Sequence, residues 1–460
     1  MDYNSTRNSG LSKPFDEIII DGLSSDGGLY MPKKWPEINI NDILKNKSMQ
    51  FEDVVYQTIE PFFGSTIDEK ELKKIITKSY KVFQDDVAPL INLDENKYIL
   101  ELFHGPTFAF KDYPLQLLGN LFQYYLNKKK KNITVIGATS GDTGSAAIHA
   151  CKDKDNINIF ILHPEGKVSD IQRKQMTTIH SHNVKNIAIK GNFDDCQSIV
   201  KKLFNSSRLN KMTNISAVNS INWARIISQS AYFIWAYYKL NEKFDKVNFV
   251  VPTGNFGNVY AAHVASKLGL PINKLYIATN ANDIMYRTIE NGDMKLKSVV
   301  KTHSPSMDIQ ISSNFERQLF ETFDYDSDKL VSVIKYFNDH KEYKLENDIL
   351  KKLKDIYEAK SVNDSEIINT ISSIYSKYKY IADPHTATGL NLLENISNND
   401  ANISLACAHP AKFPEAIKKS LNLEANKPEG IVSILNKEEK YVSLENDLSH
   451  VEDYIISEIK

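Results

Sequence analysis

Cysteine is scarce in this sequence. Three cysteines, Cys151, Cys196 and Cys407, occur in 460 residues. Their odd number and wide separation favour free thiols in a reducing compartment over a disulfide framework or a zinc site. We therefore expect a cytoplasmic protein without a structural metal.

An excess of charge of one sign is also lacking. Lys and Arg number 56 against 58 Asp and Glu, a formal net charge of −2, so no overall field attracts nucleic acid or an anionic membrane. The lysine run at 128–131 indicates a solvated helix end rather than a nucleic-acid patch. We expect the partners to be small molecules.

Long apolar runs are missing as well. The most apolar window, SAYFIWAYY at 230–238, is much shorter than the roughly 20 residues that cross a bilayer. The first residues lack the basic stretch followed by an apolar run that is typical of an export signal. These features predict a soluble protein with no membrane segment and no export signal.

The length predicts two or three domains, because one hydrophobic core rarely grows so large. From about residue 97, short β-rich runs alternate with amphipathic stretches, which is typical of βαβ units around a mostly parallel sheet. The predicted strands are YILELF at 98–103, ITVIG at 133–137, INIFIL at 157–162, VKNIAIKG at 184–191, VNFVVPT at 247–253, LYIATN at 275–280 and ISLACA at 403–408.

These patterns divide the chain into three parts. We expect an N-terminal accessory domain at 1–95, a doubly wound α/β domain at 96–240 and a second one at 241–460, with a helical insertion at about 285–380. In such folds ligands bind where loops follow the carboxyl ends of strands.

Two glycine-bearing turns follow predicted strands and precede predicted helices: ATSGDTGSAA at 138–147 and PTGNFGNVYAA at 252–262. Glycine permits backbone conformations in which consecutive N–H groups point at one anion, and the helix dipole adds to the attraction. Neither turn has the lysine of a P-loop or the spacing G-x-G-x-x-G, which disfavours a nucleotide. The alternative for either turn alone is a tight connection without a ligand.

Lys111 lies between largely apolar and aromatic flanks, FHGPTFAF before it and Asp112-Tyr113-Pro114 after it. Desolvation favours the neutral amine, which a Schiff-base lysine requires. The flanks alone also fit a lysine at a surface turn. The presence of two anion loops downstream favours the cofactor-lysine interpretation.

Taken together, these segments resemble the threonine synthase family. The matching segments are YNSTRNSG at 3–10, GLSSDGGLYMP at 22–32, ELFHGPTFAFKDY at 101–113, GATSGDTGSAA at 137–147, NSINWARI at 219–226, VPTGNFGN at 251–258, SMDI at 306–309, DPHTATG at 383–389 and AHPAKFPEAI at 408–417. They follow the family order over nearly the whole chain. The resemblance implies two doubly wound, mostly parallel-sheet domains of the fold type II pyridoxal phosphate enzymes, the group that includes the tryptophan synthase beta chain.

The resemblance also implies roles for single residues. Lys111 would hold pyridoxal 5'-phosphate as a Schiff base and act as the main acid and base. The cofactor phosphate would bind Gly254, Asn255, Phe256, Gly257 and Asn258, mainly through their backbone N–H groups. The loop Ser140, Gly141, Asp142, Thr143 and Gly144 would face the substrate carboxylate and, through Asp142, the cofactor's phenolic oxygen.

Cys407 would face the pyridine nitrogen, at a position where the family usually has threonine. A thiol is a poor hydrogen-bond partner, so the nitrogen would stay largely unprotonated. The alternative is a plain buried core cysteine.

The substrate implied by the resemblance, O-phospho-L-homoserine, carries a phosphate of its own. Arg225, Ser306, His409 and Lys412 lie in matching motifs and are candidates to bind it. Arg225 could instead pair with a carboxylate, and Lys412 could lie exposed on its turn. Asp308 could equally be a structural cap.

The implied activity is a carbon–oxygen lyase reaction, the conversion of O-phospho-L-homoserine and water to L-threonine and phosphate. It proceeds by elimination at Cγ and hydration at Cβ and is the last step of threonine biosynthesis, carried out by a monomer or homodimer. One alternative is a phospho-lyase of the same family that releases 2-oxobutyrate. Another is an inactive ligand-binding relative, which the intact Lys111 and loops disfavour.

Overall fold

The computed structural model describes residues 1–84, 86–139, 141–218 and 220–459. Its strands, numbered in chain order, are β1 Asp2–Ser5, β2 Ser12–Pro14, β3 Tyr30–Pro32, β4 Leu90–Asp94, β5 Lys97–Glu101, β6 Ile133–Ala138, β7 Ile157–Pro164, β8 Val184–Lys190, β9 Asn214–Ser216, β10 Val247–Pro252, β11 Ile272–Thr279, β12 Tyr357–Ser361, β13 Ala401–Ala406 and β14 Val442–Glu445.

The helices, numbered in the same way, are α1 Phe15–Asp21, α2 Ile40–Lys45, α3 Phe51–Ile59, α4 Glu69–Tyr80, α5 Asp112–Lys129, α6 Asp142–Cys151, α7 Asp170–Thr177, α8 Phe193–Phe204, α9 Ser207–Met212, α10 Trp223–Tyr238, α11 Gly257–Lys267, α12 Ile284–Asn291, α13 Phe315–Thr322, α14 Ser327–His340, α15 Asn347–Ile356, α16 Asp364–Tyr378, α17 Pro384–Leu393, α18 Pro414–Leu421, α19 Glu429–Leu435 and α20 Leu448–Glu458. Short 3₁₀ turns lie at Glu60–Phe62, Gly64–Thr66, Pro305–Met307 and Pro410–Lys412.

The described strands form three sheets. A six-stranded sheet has the order β12-β11-β10-β13-β5-β4, a five-stranded sheet has the order β14-β8-β7-β6-β9, and a three-stranded antiparallel sheet has the order β2-β1-β3. The five-stranded sheet is parallel, and the six-stranded sheet is parallel except for the edge pair of β4 and β5. The expected α/β class with mostly parallel sheets is confirmed.

Burial explains why the central strands could be found from the sequence. Every residue of β10 and β13 is buried, because helices cover both faces of a parallel sheet. Such strands are mostly apolar, as in VNFVVP and ANISLA, where the buried polar residues are Asn248, Asn402 and Ser404. Each predicted strand overlaps an observed one.

Sheet membership does not follow the expected division of the chain. β4 and β5 pair within the sheet that holds β10, β11 and β13, and β14 joins β8 in the other parallel sheet. Each parallel sheet therefore takes a strand from the other half of the sequence. The division at residues 95 and 240 stays a proposal based on sequence character.

The segment at about 285–380, expected to be helical, also contains β12. This strand, YEAKS, lies at the edge of the six-stranded sheet and has one buried residue, Tyr357. A short polar edge strand lacks the apolar run on which the strand predictions depend.

Two features bear on the expected surface properties. The lysine run ends α5, whose C-terminal residue is Lys129 and whose cap, Lys130, has a left-handed backbone, so the helix-end prediction is confirmed. No helix in the described part of the chain is long and apolar enough to cross a membrane.

The topology places the motifs at the carboxyl ends of strands in the two parallel sheets. The Lys111 segment follows β5, the first glycine turn follows β6, the second follows β10, and Cys407 follows β13. All four lie at carboxyl ends of parallel strands, where ligands bind in open α/β sheets.

Candidate active site

Lys111 caps the N-terminus of α5 and sits against the end of β13. Phe110 donates its backbone N–H to the carbonyl of Cys407 at 2.8 Å, and Ala109 forms an antiparallel bridge with Ala408. Phe108 takes a positive φ of 57°, which turns the chain toward the helix. These contacts hold the Lys111 side chain inside the molecule, where it is 13% exposed.

Burial gives the Lys111 amine its character. Desolvation lowers the pKa of Lys111, Asp142 opposes that shift, and Lys412 and Arg225 reinforce it. The Lys111 Nζ lies 3.9 Å from Asp142 Oδ2, beyond hydrogen-bond distance. The amine is thus inclined to the neutral, nucleophilic form.

Asp112 is hydrogen-bonded to Thr107 and so closes the segment before Lys111 into a loop. Its carboxylate accepts hydrogen bonds from the Thr107 N–H at 2.7 Å and the Thr107 hydroxyl at 2.8 Å. Burial raises the pKa of Asp112 to about 6, against these hydrogen bonds. Sequence reasoning gave Asp112 no role, although its place directly after the lysine at a helix start was a usable signal.

The first glycine turn is held by a side chain before it. Thr139 Oγ1 accepts hydrogen bonds from the N–H groups of Gly141 at 3.0 Å and Gly144 at 2.9 Å. Gly141 has a φ of 146°, and a Cβ there would lie 2.6 Å from Gln172. Ser140, expected to bind the substrate carboxylate, lies outside the described residues.

Two N–H groups of this turn remain available. Within the described residues, no protein acceptor takes the backbone N–H of Asp142 or of Thr143, the first two residues of α6. Free N–H groups at a helix N-terminus suit an anion.

Asp142, in the first glycine turn, lies among several charged and polar side chains. It is 4% exposed, and its Oδ1 lies 2.7 Å from Lys412 Nζ and 2.9 Å from Gln172 Nε2. Burial alone would raise the pKa of Asp142, but nearby positive charge, that of Lys412 above all, holds it well below its usual value. Asp142 is therefore a buried, ionised carboxylate.

The second glycine turn is shaped for close approach of the backbone. Phe256, the cap of α11, has a φ of 62°. A Cβ on Gly254 would lie 3.2 Å from the backbone of Ser306 and Met307. In the described structure, the N–H groups of residues 254–258 have no protein acceptor, so five backbone donors along this turn are left for a ligand.

The side chains of this turn serve mainly to fix it. Asn255 donates to Ser220 Oγ at 2.8 Å and accepts from the Ser313 N–H at 3.0 Å. Asn258 accepts a hydrogen bond from the Tyr232 hydroxyl, and its own amide nitrogen is buried without a protein partner. The backbone, with this single amide, is left for a ligand.

Arg225 is a buried cation with an unused charge. It is 2% exposed, and among the described residues it donates one hydrogen bond, to the Val218 carbonyl at 2.7 Å, while its Nε is buried without a partner there. No carboxylate in the described structure forms an ion pair with it. Burial lowers the pKa of Arg225 to about 10, with Tyr232 opposing. A guanidinium buried in this way suits an anionic ligand.

Cys407 lies beside the Lys111 segment and is buried, like Cys151 and Cys196. Its N–H donates to Thr386 Oγ1 at 2.9 Å. Burial and the neighbouring Asp383 raise the pKa of the Cys407 thiol well above its usual value. The group facing the site is thus a neutral thiol.

Ser306 lies next to Asp142. Its hydroxyl lies 3.4 Å from Asp142 Oδ2, and its N–H donates to His385 Nε2 at 3.2 Å. His385 Nδ1 lies 2.8 Å from Asp383 Oδ1, so Nδ1 carries the hydrogen. Asp383 and His385 belong to the DPHTATG motif, to which sequence reasoning gave no role.

Two of the other candidates, Asp308 and His409, contact groups other than the Lys111 amine. Asp308 accepts hydrogen bonds from Thr302, Asn280 and Asn282, which makes it a structural bracket for its loop. His409 borders a separate cavity of about 430 Å³, whose walls include Glu101, His104 and Phe108. Burial lowers the pKa of His409 to about 4.

The assembled residues fit a cofactor with an aldehyde and a phosphate. They offer a buried amine with a lowered pKa and a buried thiol. Among the described residues they also offer one loop with five N–H groups that have no protein acceptor and a second loop with two. Within the described residues no cluster of His, Cys, Asp or Glu has the arrangement of a metal site.

Comparison with known proteins gives three family matches along the chain. Residues 2–80 match the family model described as "Threonine synthase N terminus", residues 88–335 match "Pyridoxal-phosphate dependent enzyme", and residues 386–455 match "Threonine synthase, C-terminal".

Individual proteins agree with these matches. A threonine synthase of Pseudomonas aeruginosa is 39% identical over 459 aligned residues, which cover 99% of this chain and 98% of that relative. The crystal structure of PLP-bound threonine synthase from Brucella melitensis superimposes with a TM-score of 0.96 at 40% identity, covering 100% of this chain and 99% of the other. The yeast threonine synthase gives a TM-score of 0.94 at 38% identity, covering 99% and 98%.

Proposed function

Because the chain belongs to the threonine synthase family of pyridoxal-phosphate-dependent enzymes, we propose that the site around Lys111 converts O-phospho-L-homoserine and water to L-threonine and phosphate. One observation carries the proposal: the buried Lys111 amine lies near Asp142 at 3.9 Å, in a site with two loops whose N–H groups have no acceptor among the described residues. A buried lysine amine with two anion sites is what a phosphate-bearing aldehyde cofactor and an amino-acid substrate need.

Pyridoxal phosphate would be held at three points. Lys111 would bind it covalently, the N–H groups of 254–258 would take its phosphate, and the Cys407 thiol would face its ring nitrogen. A neutral thiol gives up its hydrogen weakly and leaves that nitrogen largely unprotonated. When bound, the cofactor supplies an electron sink for negative charge that develops on the substrate carbons.

Lys111 would move the protons of the reaction. Its burial favours the neutral amine, which can accept a proton at the substrate's Cα and return it later. Asp142 lies close enough to stabilise the ammonium that forms. We assign the main acid and base role to Lys111 for this reason.

The substrate carboxylate would bind the first glycine turn. The free N–H groups of Asp142 and Thr143 support this, and Gly141 and Gly144 give the turn its shape through Thr139. Ser140 belongs to the same proposal by its position in the motif.

The substrate phosphate would bind Arg225 and Ser306. Arg225 brings a buried positive charge without a carboxylate partner in the described structure, and Ser306 brings a hydroxyl that lies near Asp142. His409 borders a different cavity, and Lys412 already has two hydrogen-bond acceptors. We therefore favour Arg225 and Ser306 over those two residues.

We further propose a cytoplasmic enzyme that acts as a monomer or homodimer. Three buried free thiols support a reducing compartment. Cell fractionation would test the location, and size-exclusion chromatography with light scattering would test the assembly.

The function is tested with purified protein. We expect visible absorbance of the bound cofactor and formation of threonine from O-phospho-L-homoserine, and Lys111→Ala should lose both. Lys131→Ala, which removes an exposed lysine, is the matched control and should behave as wild type. Release of 2-oxobutyrate instead of threonine would favour the phospho-lyase alternative, and a colourless active wild type would contradict the role of Lys111.

A further inference from the structure

Lys412 is completely buried in the site, and its ammonium already has two hydrogen-bond acceptors. It lies in the 3₁₀ turn Pro410–Lys412 and is 0% exposed. Its ammonium lies 2.7 Å from Asp142 Oδ1 and 2.7 Å from the Thr107 carbonyl. A lysine that awaits a substrate phosphate would keep its ammonium free; this one is already paired.

We propose that Lys412 is a positioning residue, which orients Asp142 and occupies its charge, so that Lys111 is left as a neutral amine. The proposal rests on the proposed function, because it concerns the amine that binds the cofactor. It replaces the expected role of Lys412 as a ligand of the substrate phosphate.

The geometry divides the two oxygens of Asp142 between different tasks. Oδ1 accepts from Lys412 and, at 2.9 Å, from Gln172. Oδ2 is turned toward Lys111 at 3.9 Å and Ser306 at 3.4 Å. Lys412 and Gln172 thus fix the carboxylate in the one orientation that presents Oδ2 to the reacting amine.

Charge balance gives the arrangement its consequence. One buried carboxylate can neutralise one ammonium, and the shorter distance assigns that ammonium to Lys412. A second cation at Lys111 would then be buried without compensation. The other ionisable groups around Lys111 are Arg225, whose charge also disfavours an ammonium there, and the Cys407 thiol.

The Asp142–Lys412 pair also allows anionic ligands to bind on this side of the site. The proposed ligands bring a phenolic oxygen and a carboxylate to this side of the site. An unneutralised Asp142 would repel both, whereas the Asp142–Lys412 pair has no net charge. Moving Lys412 to a substrate phosphate would leave Asp142 buried and unpaired, which is strongly unfavourable.

The first test needs no cofactor. Lys412→Met, Asp142→Asn and the double variant are compared by thermal unfolding of the apo-protein. We expect Lys412→Met to lower the midpoint by several degrees, and the double variant to recover at least half of that loss, because it leaves no lone carboxylate. Lys154→Met removes another buried lysine, one that donates to Asn120, and Asp142→Asn should not rescue it.

The second test follows the cofactor-loaded protein without substrate. In Lys412→Met the pH midpoint of the visible absorbance should rise by about one unit or more, since the lone Asp142 carboxylate stabilises a cation at Lys111. The double variant should return toward the wild-type midpoint, and Lys412→Arg, which keeps the charge, should shift it least.

The opposite result is equally clear. If Lys412 bound the substrate phosphate, Lys412→Met would raise KM for O-phospho-L-homoserine, leave the absorbance midpoint unchanged, and gain nothing from Asp142→Asn. That outcome would overturn the proposal. A colourless wild type would instead contradict the proposed function, and the apo-protein comparison would still decide the coupling of Lys412 to Asp142.

Discussion

Arg7 and Glu316, 309 positions apart in sequence, form a two-point ion pair: the Nε to Oε1 distance is 3.1 Å and the Nη2 to Oε2 distance is 2.7 Å. Arg7 follows β1 of the N-terminal sheet, and Glu316 lies on α13. Two residues before it, Asn314 donates its backbone N–H to the Asn255 carbonyl at 3.2 Å. The N-terminal sheet therefore supports the loop at 254–258 through the Arg7–Glu316 pair and Asn314. We call this connection the brace.

Loss of this brace should weaken both the fold and the loop. We expect Glu316→Gln to lower the free energy of unfolding by about 1–2 kcal/mol, because the pair is partly buried and bidentate, and to raise the cofactor Kd severalfold. Glu342→Gln breaks an exposed pair with Lys295 and should cost less than about 0.5 kcal/mol. Urea unfolding and cofactor titration measure the two effects, and equal losses in both variants would contradict the brace.

The close approach at Gly254 predicts a second result. A Cβ there would lie 3.2 Å from the backbone of the 306–307 segment, which cannot move aside as a flexible side chain can. Gly254→Ala should therefore shift the loop, at a cost of about 1–2 kcal/mol, and weaken cofactor binding roughly tenfold. Gly137→Ala is the control, since its Cβ would meet only the end of Ile161 at 3.4 Å. Equal affinity of the two variants for the cofactor would count against the loop as phosphate site.

Arg225 has no carboxylate partner in the described structure. Its replacement should therefore lower activity without lowering stability. Arg225→Met should lower kcat/KM for O-phospho-L-homoserine by about 100-fold, the effect of losing charged hydrogen bonds worth about 3 kcal/mol. Its stability should hold or increase, because a buried charge without a carboxylate partner in the described structure is removed.

Arg287→Met provides the opposite case. Arg287 pairs with Asp283 at 2.9 Å and Asp293 at 2.8 Å, so this variant should lose stability and keep kcat/KM. Thermal unfolding and steady-state kinetics separate the two patterns. A destabilised Arg225→Met with normal kinetics would show a structural role.

Glu321 predicts how stability depends on pH. It lies on α13 and contacts Tyr260, His263 and Lys267 of α11. Burial would raise the pKa of Glu321, but these partners lower it to about 2. Since the folded pKa lies below the unfolded one, the stabilisation is complete above about pH 5 and is lost as pH falls toward 2.

The comparison of wild type with Glu321→Gln isolates this effect. The wild-type advantage should shrink below about pH 4.5 by roughly 1.4 kcal/mol per pH unit. Urea unfolding between pH 6 and pH 3.5 measures it, with Glu342→Gln as the exposed control. An advantage that stays constant over this range would refute the assignment.

Much of the fold was accessible from local sequence. Buried strands such as β10 and β13 are mostly apolar runs, and glycine turns mark the ends of β6 and β10. β12 was missed because an edge strand needs few apolar residues. The pairing of β5 with β13 could not be predicted either, since crossover connections carry no local signal.

The candidate site was partly accessible in the same way. Lys111 and the two anion loops stand in recognisable segments, and the family they indicated is confirmed. Asn255, expected to bind the cofactor phosphate, uses its side chain on Ser220 and Ser313, and only its N–H remains for a ligand. Side-chain partners of this kind come from distant parts of the chain.

Local sequence was enough to predict the central strands, the two glycine turns, a candidate cofactor lysine and the family, because apolar periodicity, glycine and motif order are properties of neighbouring residues. The state of the buried charges, in contrast, depends on tertiary contacts. Lys412 meets Asp142 and Arg225 meets no described carboxylate because strand crossovers bring remote segments together. In a buried site, partnership of this kind decides which charge is neutralised and which is left for a ligand.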